Sequence, residues 1–128
     1  MRQQMDPSPT ARQARARDAL DALGDERDDR ALVRVRCGRS HHVAAVFDTS
    51  AGPVFESLIG PHAHGGDRDF VDTAHHGDRK GTRFVDVLDA GRFADDLVPA
   101  TCECGTHELS RAELQHAVDV NQRTIFLT

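Results

Sequence analysis

The chain has 128 residues, a formal net charge of -5 at pH 7, six Phe and no Trp or Tyr. This length suits one domain with a modest core, and the scarcity of large aromatic residues favours extra stabilisation, such as a bound metal. The negative charge works against nonspecific attraction to phosphates, so nucleic acid is a possible partner that net charge does not favour. No apolar run approaches the roughly 20 residues that span a bilayer, and no signal-peptide pattern is present, which predicts a cytoplasmic protein.

The N-terminal segment is predicted to be separate from the main domain. Residues 1–10 are polar and indicate a flexible tail, and residues 10–23 indicate a helix with a thin apolar stripe of Ala16, Leu20 and Leu23. Because a charged linker follows at residues 25–30, we expect a detached helix that packs its stripe on a partner. The predicted domains are therefore residues 1–30, a flexible tail and helix, and residues 31–128, a zinc-stabilised α+β domain.

Alternating apolar residues over residues 31–37, with further apolar segments separated by turns, predict a small antiparallel sheet in the second domain. The predicted strands are residues 31–37, 42–47, 54–59, 82–88 and 123–127. The last of these is expected to join the sheet near the candidate metal site. Residues 60–81 form a long loop rich in His and Asp, and residues 89–99 are expected to be a connector with one helical turn.

A capped helix is predicted near the C-terminus. Ser110 and Glu113 have the spacing of a capping box, and Leu114, Ala117 and Val118 form one apolar face over residues 110–120. His116 falls off this face and is expected to face solvent. Together with the strands, this helix predicts the α+β class.

Two clusters of cysteine and histidine, far apart in sequence, predict one structural zinc site. The first cluster begins at Cys37 and ends at His42, and the second runs from Cys102 to His107. Thiolates with imidazoles nearby are ligands that Zn²⁺ prefers, and a C-x-C pair is too tight for an unstrained disulfide. The predicted ligands are Cys37, His41, Cys102 and Cys104, with His42 and His107 as alternatives for the imidazole. The other interpretation is three buried cysteines without metal.

The two ligand-bearing turns at hairpin ends resemble those of zinc-ribbon proteins, with a long insertion between the knuckles. The order of motifs is also similar to a recurrent type of small bacterial protein, which has Cys and Gly-His after a first strand and Cys-x-Cys-Gly before a capped helix. This resemblance covers residues 31–128. It implies a structural ion and a binding role in transcription, translation or complex assembly.

Two other groups of residues are weaker functional candidates. The long loop contains possible ligands for a catalytic metal, which are His62, His64, His75, His76, Asp67, Asp69, Asp72 and Asp78. A solvated polar loop has the same composition, however. Arg34, Arg36 and Arg39 form a basic strip suited to RNA or to an acidic protein surface, although an ordinary exposed strand face has the same pattern.

The sequence favours a noncatalytic, zinc-stabilised binding module that engages a protein or nucleoprotein partner. It contains no G-x-S-x-G, phosphate-binding glycine loop or H-E-x-x-H motif. The alternative is a metal-dependent hydrolase that uses the His/Asp-rich loop.

Overall fold

The computed structural model describes residues 9–59, 82–89, 96–102 and 105–127. The two helices of this part of the chain are α1 (Pro9–Asp21) and α2 (Arg111–Asp119). The strands are β1 (Ala31–Arg36), β2 (His42–Thr49), β3 (Gly52–Ile59), β4 (Thr82–Val87), β5 (Leu97–Cys102), β6 (Gly105–Ser110) and β7 (Thr124–Phe126). Short 3-10 turns at Gly24–Glu26 and Asp28–Arg30 connect α1 to β1. The α+β prediction is confirmed.

Five strands form the main sheet in the order β4-β3-β2-β1-β7, and β5 and β6 form a separate two-stranded sheet. Strands β1 to β4 are antiparallel neighbours. Short turns join β1 to β2 and β2 to β3, whereas residues 60–81 connect β3 to β4. Strand β7 follows α2 and pairs with β1 in parallel. The sheet is therefore mixed: the prediction of an antiparallel sheet is confirmed for β1 to β4 and wrong for the pairing of β7 with β1.

Both faces of the main sheet carry buried apolar residues. The β5–β6 hairpin and α2 pack on one face, in a cluster that includes Val35, Cys37, Val46, Ala100 and Leu114. We call it the hairpin-side cluster. The opposite face carries the α1-side cluster, which consists of Ala16, Leu20, Ala31, Ala45, Phe47, Val54 and Val85. Coverage on both faces explains why β2 has five consecutive buried residues rather than an alternating pattern.

Helix α1 is part of the folded core, so the prediction of a detached helix is wrong. It packs mainly on β4, and Ala16 and Leu20 are fully buried in the α1-side cluster. The stripe is thin, but ion pairs supplement it. Arg12 of α1 donates to the Asp86 carboxylate at 2.8 and 2.7 Å, and Asp21 accepts from Arg83 at 2.7 Å. These long-range contacts have no signature in the local sequence.

Asp86 on β4 joins the two helices through its carboxylate. Its side chain is fully buried, and it accepts hydrogen bonds from Arg12 of α1 and from Arg111, the first residue of α2, at 2.9 Å. Arg111 also donates to the carbonyl oxygens of Val87 and Leu88, at 2.5 and 3.2 Å. A buried carboxylate needs such partners, because an unpaired charge inside a protein is strongly destabilising.

A second buried carboxylate, Glu56 on β3, is bound by Arg27 and Arg83. Arg27 lies between the two 3-10 turns and also stacks on the ring of Phe47, with 5.3 Å between its guanidinium carbon and the ring centroid. The segment predicted as a charged linker therefore contributes a residue to the interior.

Burial of Arg83 acts to lower its pKa, but the hydrogen bond to Asp21 and the charge of Glu56 outweigh it and raise the pKa above the ordinary value. Arg83 is therefore positively charged in the folded protein at physiological pH. Its charge is a fixed part of the contact between β4 and the end of α1.

Helix α2 begins as its capping sequence predicts. The Ser110 hydroxyl accepts a hydrogen bond from the Glu113 amide at 3.2 Å, and it donates to the Asp96 carboxylate at 3.0 Å. Leu114 and Ala117 are buried and His116 is exposed, as predicted.

The predicted connector of residues 89–99 is wrong at its end, because β5 begins at Leu97. Within the described ranges, neither helix has the length and apolar character needed to cross a membrane.

Candidate metal centre

Cys37 lies at the tight turn that joins β1 to β2. Its amide donates to the carbonyl oxygen of His41 at 3.1 Å, and its carbonyl oxygen accepts from the amide of Ser40 at 2.8 Å. Ser40 adopts a positive φ of 66°. These bonds bring the backbones of Cys37 and His41 together, as a C-x3-H half-site requires.

The sulfur of Cys37 is held in the interior by a backbone contact. Cys37 is 1% exposed, and its Sγ accepts a hydrogen bond from the amide of Arg39 at 3.3 Å. An amide directed at sulfur stabilises negative charge there, and such contacts tune and orient thiolates that bind metals. Gly38 allows the turn to pass closely, because a Cβ at this position would lie 3.3 Å from the carbonyl oxygen of Leu127.

The second cluster lies at the tip of the β5–β6 hairpin. Cys102, the last residue of β5, pairs with Gly105, the first residue of β6. Gly105 has a φ of +134°, which glycine adopts far more readily than other residues. Residues 103 and 104 connect the two strands and lie outside the described residues. The C-x-C motif thus spans a hairpin turn.

Strand β5 crosses the main sheet on the face that contains Cys37. The Ser57 hydroxyl of β3 donates to the Pro99 carbonyl at 2.6 Å, and β5 also contacts β2. Ala100 belongs to the same hairpin-side cluster as Cys37 and Val43. The backbone of β5 reaches Cys102 two residues after Ala100, so this strand ends close in sequence to a residue that packs on the face burying the first cysteine.

The structure describes the four predicted metal ligands to different extents. Cys37 and His41 lie at the β1–β2 turn, Cys102 is described through its backbone only, and Cys104 lies outside the described residues. Among the residues whose side chains are described, no three His, Cys, Asp or Glu side chains form a group that could hold a metal ion. The prediction of a four-ligand site therefore remains a prediction.

The three candidate imidazoles differ in the strand face on which they lie. All three are half-buried. His42 pairs with Arg36 across β1 and β2 and therefore shares the face of Arg36, which is opposite to that of Cys37. His107 pairs with Ala100 and shares the face of β5 that packs on the sheet. His41 precedes β2 and is drawn to Cys37 by the backbone hydrogen bond.

The weaker candidates separate into described and undescribed groups. The eight His and Asp residues proposed for a catalytic metal lie within residues 60–81, outside the described residues. The basic strip is described: Arg34 forms an ion pair with Asp28 at 3.5 Å, whereas Arg36 donates to the carbonyl oxygen of Ser40 at 3.1 Å.

An open groove of about 390 Å³ lies between α2 and β7, lined by Ala112, Glu113, His116, Gln122 and Ile125.

Sequence reasoning missed two features of the surface around the turn. It did not identify β5 and β6 as a hairpin, because the polar residues between Thr101 and His107 resemble a ligand loop more than strands. It also did not place Phe126 beside Arg36, which are partners in the parallel pairing of β7 with β1. The exposed position of Phe126 has no local signal, since Phe126 stands between Ile125 and Leu127 in a run of three apolar residues.

Comparisons with protein-family models, curated proteins and solved structures gave no significant match.

Proposed function

We propose that the chain is a noncatalytic binding module whose two ligand-bearing turns are clamped by one structural zinc ion. The observation that carries this proposal is the geometry of the Cys37 turn. Its sulfur is buried, it receives the Arg39 amide, and its backbone is bonded to that of His41. An ordinary buried cysteine needs none of these contacts, whereas a metal-bound thiolate benefits from each of them.

The donor set fits zinc in its chemistry. Cys37, Cys102 and Cys104 would supply three thiolates and His41 one imidazole, which is a closed structural set of the Cys3His type. The ion would hold the β1–β2 turn to the β5–β6 hairpin and so attach the small sheet to the main sheet. A closed set leaves no position for substrate, which is why we propose binding rather than hydrolysis.

The strand pairing supports His41 over His42 as the imidazole ligand. His42 shares the face of Arg36, away from the hairpin-side cluster. His107 remains the competing candidate, because it shares the sheet-facing side of β5 and β6 with Ala100. Replacing each histidine in turn distinguishes these assignments.

The proposal is tested by the zinc content of single-ligand variants. We expect Cys37→Ser, Cys102→Ser and Cys104→Ser to lower bound zinc well below one ion per chain, with His41→Ala having a similar effect. His116→Ala is the matched control, because His116 is an exposed histidine on α2 and should retain full metal. Unchanged zinc in all three cysteine variants would refute the site. Loss of metal in His107→Ala but not in His41→Ala would reassign the imidazole.

A further inference from the structure

One part of the main sheet presents basic and aromatic side chains to solvent. On β1, Val33 and Val35 are buried in the hairpin-side cluster, so Arg34 and Arg36 point to the opposite face. The parallel register places Phe126 beside Arg36, and paired residues share a face. Helix α1 packs mainly on β4, at the far edge of the sheet from β7. Phe126 is consequently 59% exposed.

Arg36 pairs with Phe126 across β1 and β7, Arg123 lies just before β7, and Arg39 lies at the β1–β2 turn. None of these three arginines forms an ion pair with a carboxylate in the described part of the chain. Arg36 donates to the Ser40 carbonyl oxygen, Arg123 donates to the Ala31 carbonyl oxygen at 3.3 Å, and Arg39 is exposed at the β1–β2 turn. The chain has 21 acidic and 16 basic residues. Within the described residues, these three guanidinium groups without a carboxylate partner are therefore a local departure from the overall charge.

The backbone places these four residues along the edge strand β7 and the adjoining part of β1. The amide of Leu127 donates to the Arg36 carbonyl at 2.7 Å, and the amide of Arg34 donates to the Arg123 carbonyl at 2.9 Å. Arg123 thus lies at one end of the strip, and Arg39 lies beside the end of β7 at the other. At about 3.3 Å per residue, the strand between these ends is about 13 Å long. We call Arg36, Arg39, Arg123 and Phe126 the β7 strip.

We propose that the β7 strip binds single-stranded nucleic acid, with Phe126 stacked on one base and the arginines contacting the flanking phosphates. Every base has a flat face that stacks on an aromatic ring, and a guanidinium group matches phosphate geometry. This inference rests on the proposed role as a binding module and names its partner. The net charge of -5 predicts weak binding that depends strongly on salt.

An acidic peptide would also be attracted to the arginines, but the shape of the strip favours a base. Phe126 projects from an exposed edge strand and does not line the groove near α2, which is bounded by Ile125 on the other face of β7. A projecting ring offers a flat surface for stacking, whereas an apolar peptide side chain is best received in a pocket. Duplex nucleic acid is disfavoured because its bases are already stacked.

The test measures fluorescence anisotropy of a labelled dodecathymidylate with the full chain at low salt. We expect the double variant Arg36→Ala/Arg123→Ala to weaken binding by about tenfold or more and to flatten the salt dependence. The matched control is Arg15→Ala/Arg17→Ala, which removes two exposed arginines from α1 and should weaken binding by less than about threefold. Equal losses in the two double variants would overturn the proposal.

Two replacements of Phe126 separate stacking from simple apolar contact. Phe126→Trp retains a stacking ring and should preserve or improve binding, whereas Phe126→Leu should weaken it by about fivefold or more. Thermal melting of each variant establishes that it is folded. Equal binding by the Leu and Trp variants would contradict stacking.

Competition and metal analysis complete the test. Unlabelled single strands should displace the probe better than duplex DNA or a polyglutamate peptide does, and better displacement by either competitor would overturn the proposal. No binding by the wild-type chain would also overturn it. Zinc content is measured in the same samples: full zinc without binding refutes the strip alone, whereas a chain without zinc refutes the proposed metal site.

Discussion

Arg12 and Asp86 are separated by 74 positions in the sequence, yet they form two hydrogen bonds of 2.8 and 2.7 Å in the protein interior. The bond joins the first helix to the edge strand β4. Because Asp86 also binds Arg111, a single carboxylate connects the N-terminal helix to the C-terminal one. Asp86 thereby connects two helices that pack on opposite faces of the sheet.

Replacement of Arg12 by Met should lower the free energy of unfolding by about 3 kcal/mol, because it deprives a buried carboxylate of one of its two cationic partners. Arg15→Met on the same helix is the control. Arg15 is exposed, so its replacement should change stability by less than about 0.5 kcal/mol. Urea denaturation measures both variants, and equal stability of the two would contradict the role of the buried bond.

Replacement of Leu20 by Ala tests whether α1 belongs to the core. Leu20 is fully buried, so the truncation should cost about 2 to 5 kcal/mol of unfolding free energy. Leu97 is 49% exposed, and Leu97→Ala should have a much smaller effect. If Leu20→Ala left stability unchanged and weakened association instead, the helix would serve a partner rather than this domain.

The pKa of Arg83 sets a prediction for pH dependence. Folding raises the pKa of Arg83, so its positive charge stabilises the folded state fully at any pH below the ordinary arginine pKa. This stabilisation is lost only as the pH rises through the higher pKa of the folded state. The difference in unfolding free energy between wild type and Arg83→Met should therefore stay constant from about pH 7 to about pH 10. Denaturation curves at several pH values measure it. A difference that shrinks over this range would contradict the raised pKa.

The elements that the sequence predicts correctly are those with a local cause. Alternation identifies β1, and apolar segments bounded by turn residues identify β2 to β4. The Ser110 cap with the Leu114 and Ala117 face identifies α2. The docking of α1 is not predictable from local sequence, because it depends on Arg12 pairing with Asp86, 74 positions away in the chain. A thin apolar stripe indicates a weak isolated helix, but it says nothing of buried ion pairs supplied by distant strands.

The candidate site, like the fold, has some features that the local sequence predicts and others that it does not. The spacing of Cys37 and His41 predicts a tight turn, and the structure contains one, with a sulfur that accepts an amide hydrogen bond. The position of Phe126 beside Arg36 follows only from the parallel pairing of β7 with β1. This pairing joins strands that are about 90 residues apart in the chain, with α2 leading into β7, and local sequence does not specify it.

The zinc content of the wild-type chain tests the central claim most directly. Native mass spectrometry of protein purified without chelators should show one zinc ion per chain, and stripping the metal under denaturing conditions should leave a chain that refolds only when zinc is restored. A folded chain that carries no metal, with a melting temperature unchanged by added zinc, would contradict the account.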